Sequence, residues 1–512
     1  MLAKLTSYGL IGIEGVPINV EVDLSSGPIR VDTVGLPDVA VRESKERVRS
    51  AIINSGFVYP ESKILVNLAP ADIRKEGTVY DLPIALGILG ARGVFPLRAA
   101  EDYIIIGELA LDGSVRGVTG VLPMVINAYE RGYRNVMLPV ENADEAAYYV
   151  DMKVFPVSNL SEACSHFRGT AIIPPHEKPK CIGGSRNVSS ANDFSEIKGQ
   201  KAAKRAAEIA AAGNHNILLI GSPGSGKTML ARSIPSILPE LTMEESLEIT
   251  RIHSVAGELR GRGVITERPF RAPHHSASIP ALVGGGSGAL PGEISLAHYG
   301  VLFMDEFPQF PSAVLEALRQ PLEDGVVTIT RTAAKTTYPA EFMLIAAMNP
   351  CPCGNFGSKT RECRCTPSQI ERYRARISSP LLDRLDIHVE MNEVDYEDLT
   401  SKTRGESSET VRQRVLAARK MQKERYTEDG ILFNSQLSTP LMRKYCRMEA
   451  DAEELLHMAY DRYRLSARAY SRVIKVSRTI ADLEGSKAIE KRHVLEAVQF
   501  RGLDEKYWGN RQ

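Results

Sequence analysis

Gly221-Ser222-Pro223-Gly224-Ser225-Gly226-Lys227-Thr228 (GSPGSGKT) fits the pattern G-x-x-x-x-G-K-[ST] at every fixed position. Its surroundings fit too. Asn216–Ile220 (NILLI) is a short apolar run of strand character, and Met229–Ser236 can open a helix. Strand, glycine-rich turn and helix in that order make a phosphate cradle. The glycines let backbone N–H groups curl around phosphate oxygens, and the helix N-terminus adds positive potential. Lys227 can then reach β- and γ-phosphates, and the Thr228 hydroxyl can ligate Mg²⁺. The run Gly284–Gly288 (GGGSG) lacks a lysine and reads as a flexible loop.

Such a cradle needs a carboxylate partner, and Gly300-Val301-Leu302-Phe303-Met304-Asp305-Glu306 supplies one. Four apolar residues predict a buried strand with two acids at its C-terminal tip, where α/β sheets bind ligands. Asp305 would hold Mg²⁺, and Glu306 would orient and polarise the attacking water. Taken alone, a strand ending in solvated acids is the simpler account; the phosphate loop reverses that preference. Phe342–Met348 (FMLIAAM) predicts another apolar strand ending at Asn349, whose amide could help position water.

Outward from this centre the chain runs to 512 residues, enough for about three domains with a core each. Hydrophobic residues make up 43% and charged residues 25%, which excludes wholesale disorder. Lys+Arg and Asp+Glu both number 63, so a chain coated in basic charge is excluded and a local basic patch is not. The start, MLAKLTSYGL, has no apolar signal-peptide core, and the greasiest stretch, near Leu82–Ala91, is too short to span a bilayer. A cytoplasmic protein without a membrane partner is expected.

Residues 1–168 alternate strand-like and helix-like patterns and predict a compact α/β or α+β domain. Ile29–Val34, Lys63–Leu68 and Val136–Pro139 read as strands, Ile104–Gly107 as a β-branched run, and Val41–Asn54 and Val121–Glu130 as helices. Residues 169–192, rich in Pro, Gly, Ser and Asn, read as a linker. The nucleotide motifs fall in 193–393, and 394–512 has almost no strand signal and predicts a helical bundle.

The phosphate loop, RPFRAPHHSASIPALVGGG (Arg268–Gly286), PGEISLAHYGVLFMDEFPQF (Pro291–Phe310), AAMNPCPCG (Ala346–Gly354) and SSPLLDRLDIHV (Ser378–Val389) together resemble the AAA+ ATPases, and more narrowly the magnesium-chelatase-like ComM/YifB family. The resemblance covers nearly the whole chain. It implies a P-loop αβα core with a C-terminal helical lid, and a ring, usually a homo-hexamer, with ATP and Mg²⁺ held between neighbouring subunits. It implies that Asn349 is sensor 1 and that Arg384 is the arginine finger entering the adjacent site. It also implies that Arg468, in LSARAYSR, is sensor 2 contacting the γ-phosphate. Without the resemblance, a salt bridge from Arg384 to Asp383 or Asp386 is the competing account.

RKEGTVYDLPIALGIL and IIGELALDGSVRGVTGVLPMVINAYERGYRNVMLP, within residues 74–140, resemble the proteolytic domain of Lon, which has the ribosomal S5 domain 2-like fold. A working Lon site needs a nucleophilic Ser and a Lys to take its proton. After Lys75-Glu76-Gly77 this chain has Thr78, Val79, Tyr80 and Asp81, and where the Lys should follow Val121 it has Leu122. The expectation is a Lon-like fold without peptidase activity.

Seven cysteines do not make a disulfide framework, but Cys351-Pro352-Cys353 and Cys363-Arg364-Cys365 form two C-x-C pairs nine residues apart. Four thiolates suit a tetrahedral Zn²⁺. C-x-C is tighter than the commoner C-x₂-C, and four reduced thiols in a loop is an equal reading. The His274-His275 pair and His253 lack an obvious ligand set and read as polar or packing groups. Basic charge gathers at Arg361, Arg364, Arg372, Arg374 and Arg376, and again at Arg462, Arg464, Arg468, Arg472, Lys475 and Arg478, where positions 464, 468, 472 and 475 line one helical face. In Val326–Thr337 (VVTITRTAAKTT) two β-prone runs flank a turn. Arg331 and Lys335 could there meet DNA phosphates, or keep an edge hairpin from aggregating.

The expected function is a ring-forming, Mg²⁺-dependent ATPase. The resemblance implies DNA as its cargo, through helicase or branch-migration work in natural transformation and recombination. A chelatase-like ATPase remodelling a protein partner is the first rival. An ATP-dependent protease, opposed by Leu122, and a nucleotide-gated scaffold, opposed by Glu306 and Arg384, are weaker ones.

Overall fold

A computed structural model describes residues 1–148, 151–178, 193–259, 263–286, 288–330, 335–358, 360–394, 397 and 405–509. The N-terminal part is built on a seven-stranded mixed sheet. Its strands are β1 (Leu2–Ile11), β2 (Glu14–Ser25), β3 (Arg30–Val34), β4 (Lys63–Ala69), β5 (Tyr103–Ile105), β6 (Asn135–Pro139) and β7 (Lys153–Val157), in the order β3-β4-β2-β1-β5-β6-β7. Helices α1 (Val39–Asn54), α2 (Asp81–Ala91) and α3 (Val121–Glu130) cover it. α2 is buried along its whole length, which explains the greasy run at Leu82–Ala91 without a membrane. No helix among the described residues is long and apolar enough to cross one.

The long β1–β2 hairpin has no counterpart in the sequence reading. Gly9, Gly12, Gly15 and Pro17 punctuate it like breakers. Two of those glycines are there for close approach. A Cβ on Gly9 would lie 2.4 Å from the Tyr80 hydroxyl, and one on Gly15 2.6 Å from the Met124 backbone.

The central part is a five-stranded parallel sheet. Its strands are β8 (Ile217–Gly221), β9 (Phe270–Arg271), β10 (Val301–Met304), β13 (Met343–Met348) and β14 (Ile387–Met391), ordered β9-β10-β13-β8-β14. A separate antiparallel hairpin, β11 (Val326–Thr330) with β12 (Lys335–Pro339), precedes β13. The three central strands β8, β10 and β13 are buried on both faces and apolar throughout, whereas the edge strands β9 and β14 carry Arg271, His388 and Glu390. Ile217, Leu219, Phe303, Ile345 and Val389 face one core, and Leu218, Ile220, Leu302, Leu344 and Ala346 face the other.

The first of these cores also takes in α4 (Lys201–Gly213), α5 (Lys227–Ile237) and the C-terminal helices α8 (Ser408–Arg425), α9 (Ala450–Tyr463), α10 (Ala467–Leu483) and α11 (Lys491–Gln499). A helical C-terminal part was expected. Its shared core with the sheet was not. The N-terminal part meets the sheet's flank through α3 and α6 (Met243–Val255). There the Gly120 N–H donates to Ser254 O at 3.0 Å, and the buried Glu145 carboxylate accepts from the Leu122 N–H at 2.9 Å and from the Ser254 hydroxyl. Burial raises the pKa of Glu145 against these donors.

The expected basic face of the C-terminal helices is corrected. Arg464 ends α9 in the left-handed region and lies outside α10. Arg472 pairs with buried Asp386, Lys475 donates to Ser435 O, and the fully buried Arg478 is tied to Asp482, Ser486 O and Lys487 O. These cations satisfy internal acceptors rather than forming a solvated stripe. Arg374 is internal as well: it donates to Pro350 O and Tyr507 O between the rings of Phe356 and Tyr507.

Candidate active site

The glycine-rich turn follows β8 directly, and α5 begins at Lys227. The buried Lys227 ammonium donates to Gly221 O at 2.7 Å, Ser222 O at 2.9 Å and Asn349 Oδ1 at 3.2 Å. Burial lowers its pKa, with Asp305 pulling the other way. The Thr228 hydroxyl donates to Asp305 Oδ2 at 2.8 Å. The ends of β8, β10 and β13 therefore bring Lys227, Thr228, Asp305, Glu306 and Asn349 together, as parallel packing requires.

The residues fit a nucleotide triphosphate and its metal. The Ser225 hydroxyl in the turn is buried with no protein partner among the described residues, so the cradle holds an unspent polar group. Thr228 and Asp305 offer the hard oxygen donors that Mg²⁺ takes. Glu306 sits in the left-handed region at φ 50°, a costly conformation for a non-glycine residue that clusters at functional sites. Its N–H donates to Asp305 Oδ1 at 2.9 Å, and its half-exposed carboxylate lies 3.3 Å from His275 Nδ1.

His275 is a site residue that the sequence reading missed. Its ring stacks on His274, with centroids 4.0 Å apart, and the pair follows the short edge strand β9. The signal was present: β9 belongs to the same parallel sheet, so whatever follows it arrives at the same C-terminal edge.

Arg384 occupies the opposite end of the sheet. Ile387 pairs with Ile217, and Met391 with Gly221. Those four residue steps put about 13 Å of strand between the start of β14 and the phosphate loop. Asn216 Nδ2 donates to Arg384 O at 3.1 Å and fixes it at that far edge. The guanidinium is held by Glu323 and by Pro380 O, so neither Asp383 nor Asp386 is its partner. Arg384 holds the Glu323 carboxyl below the usual range, and Arg468 and Arg319 add to the effect. Arg468, exposed at the start of α10, lies close enough to Glu323 to contribute to this effect.

Cys351, Cys353, Cys363 and Cys365 converge beside the site, all four sulfurs lying within 4.8 Å of one another. Lys335 is exposed at the head of β12 in the expected hairpin, whereas Arg331 lies outside the described residues.

Three family models match the chain in succession: "Subunit ChlI of Mg-chelatase" over residues 20–142, "Magnesium chelatase, subunit ChlI" over 193–399, and "Magnesium chelatase, subunit ChlI C-terminal" over 405–501. The chain is 44% identical over 505 residues to "Uncharacterized protein YifB" of Escherichia coli strain K12, covering 98% of this chain and 97% of that one. It is 42% identical over 504 residues to "Competence protein ComM" of Haemophilus influenzae, covering 98% of both. A more distant similarity, 23% over 300 residues, covers 56% of this chain and 33% of the "DNA replication licensing factor mcm-6" of Caenorhabditis briggsae.

Proposed function

The chain belongs to the magnesium-chelatase-like ComM/YifB family of AAA+ ATPases, and from that premise we propose that it works as a ring, of six subunits in this reading, coupling Mg²⁺-dependent ATP hydrolysis to the remodelling of DNA. The observation that carries the ring is the separation of Lys227 from Arg384 along the strand register. One chain offers a phosphate cradle at one end of its sheet and a cationic corner at the other. A site with both needs a second chain.

In this reading Lys227 and the loop amides bind the phosphates, Thr228 and Asp305 hold Mg²⁺, and Asn349 and Glu306 position and polarise the water. The metal supplies charge stabilisation to the transferring phosphoryl group. Arg384 and Arg468, from the neighbour, neutralise charge that develops there. Glu323 keeps Arg384 paired until the neighbour's phosphate outcompetes it.

DNA as cargo is supported by the β11–β12 hairpin with Lys335 at its head, and by the names of two relatives, one a competence protein and one a DNA replication licensing factor. Strand displacement or branch migration during recombination and transformation, in the cytoplasm, is the form we assign to it. The family models named for magnesium chelatase favour a second reading, an ATPase that remodels a protein partner. We read the N-terminal part as a Lon-like fold without peptidase chemistry that serves assembly or cargo contact. Leu122 is buried where a lysine base would stand, and Thr78 donates to Glu108.

The test is ATP turnover by wild type and Glu306→Gln, with single-stranded or forked DNA, across a salt series. Stimulation by DNA that fades with salt and vanishes in the variant supports the DNA reading. Turnover indifferent to DNA refutes it and leaves the protein-remodelling reading.

A further inference from the structure

We propose that Cys351, Cys353, Cys363 and Cys365 bind one structural Zn²⁺, which fastens the loop after Asn349 to the phosphate loop. The spacing alone left zinc and free thiols equal; the geometry separates them. Cys351 and Cys353 Sγ are 3.4 Å apart, and Cys363 Sγ is 3.7 Å from each. A zinc–sulfur bond of about 2.3 Å puts tetrahedral thiolates about 3.8 Å apart along each edge. The sulfurs thus already stand near the corners that one ion requires, with Cys365 inside the same cluster. An iron–sulfur cluster distributes its thiolates over several irons and does not gather all four around one point.

The surroundings suit a centre of two net negative charges. The backbone N–H of Phe356 donates to Cys351 Sγ at 3.3 Å, and those of Asn355 and Arg364 face Cys353. The buried Arg374 guanidinium lies close enough to Cys351 and Cys363 to feel both. A cleft bounded by Gln309, Arg364, Arg372 and Arg376 reaches Cys353 and Cys365 from solvent, which gives an ion a way in.

The loop needs such a tie. Between β13 and α7 (Pro367–Arg374) no described residue is in a helix or strand, so backbone pairing cannot hold it. Its contacts with the nucleotide site are direct. Gly354, at φ 81°, packs so closely that a Cβ would lie 2.5 Å from Pro223 Cδ. Ser358 donates to Glu393 Oε1 at 2.9 Å, and Ser222 lies near enough to the same carboxylate to help hold its pKa down. Zinc would fix this loop and, through it, Pro223 and Ser222. None of this depends on what cargo the ATPase moves.

The full chain, purified under reducing conditions without chelator, is assayed by elemental analysis. The expected result is about one zinc per chain, released when a mercurial blocks the thiols and detected with a chromophoric chelator. X-ray absorption should find four sulfurs at about 2.3 Å. Cys353→Ser with Cys365→Ser should lose the metal, and Cys164→Ala, in the N-terminal core, should keep it. Stripping zinc should speed amide exchange of residues 349–366 and of the phosphate loop at least tenfold. A metal-free wild-type chain that takes up no Zn²⁺ in a competitive titration overturns the site, whether or not the serine variants fold. Iron in place of zinc also overturns it. Zinc whose removal leaves phosphate-loop exchange unchanged overturns the fastening role.

Discussion

Mixing two variants, each expected to be inactive, tests whether the active site is shared between neighbours. Lys227→Ala destroys a subunit's phosphate cradle but leaves its Arg384 corner intact. Arg384→Ala does the reverse. If the arginine served its own chain, every subunit in a mixture would carry one lesion, and no site would work. If it serves the neighbour, a site works wherever an intact cradle meets an intact arginine. In a random equal mixture that is about one interface in four. Removing an arginine finger costs about 10³–10⁵ in turnover, so each variant alone gives a dark background. The mixture should recover about a quarter of wild-type turnover.

The structure sets conditions for reading that result. Glu323, the carboxylate that Arg384 leaves behind, is 58% exposed and rehydrates readily. The substitution leaves no buried charge without a partner, so Arg384→Ala should fold and assemble. Native mass spectrometry of two chains of different mass shows whether the variants mix. Mixed rings with turnover no higher than the two backgrounds would refute the neighbour assignment, and with it the inference from strand register.

His275→Ala should lower kcat about tenfold, roughly 1.4 kcal/mol in the barrier, with KM for ATP little changed, because His275 touches Glu306 and not the cradle. His275→Asn, which keeps a donor near Nδ1, should recover most of the loss, and steady-state kinetics of the three proteins decide it. Gly354→Ala must force a Cβ toward Pro223 in a left-handed backbone conformation, so ATP affinity, read by calorimetry, should fall several-fold. Asp386→Asn should cost a few kcal/mol at pH 7, since the buried carboxylate no longer offers its charge to the partly exposed Arg472. Burial pushes the Asp386 carboxyl up, but Arg472 and His215 outweigh it and hold it well below the ordinary carboxylate range. Its contribution is therefore fully present above about pH 4 and is lost as pH falls further. The gap between the urea midpoints of wild type and variant should begin to narrow below about pH 4 and still be open at about pH 3.

The phosphate loop, the acids at Asp305 and Glu306, and Asn349 were legible because each ends an apolar run, and a parallel sheet gathers such ends at one edge. What was not legible depends on contacts between distant segments. The β1–β2 hairpin is hidden by glycines that serve close packing and read as breakers. His275 follows a two-residue strand that shows no periodicity. The basic stripe misled for a related reason: charge spacing along a helix does not reveal that Asp386 and Asp482 wait inside to meet Arg472 and Arg478.

Asp386 shows how the two ends of the sheet can communicate. It accepts from the Asn216 N–H at the foot of β8 and from His215, and it grips Arg472 of α10. Two residues before it stands Arg384; five residues beyond Asn216 begins the phosphate loop. A nucleotide that pulls on the loop pulls on β8, and β8 is tied through one buried carboxylate to the helix that carries Arg468. In the proposed ring, the same carboxylate that stabilises the fold would couple a subunit's own cradle to the arginines it would present to its neighbour. A chain in which Asp386→Asn folds should accordingly lose cooperativity between sites before it loses ATP affinity. A Hill coefficient for ATP turnover that stays at the wild-type value would show that the coupling runs elsewhere.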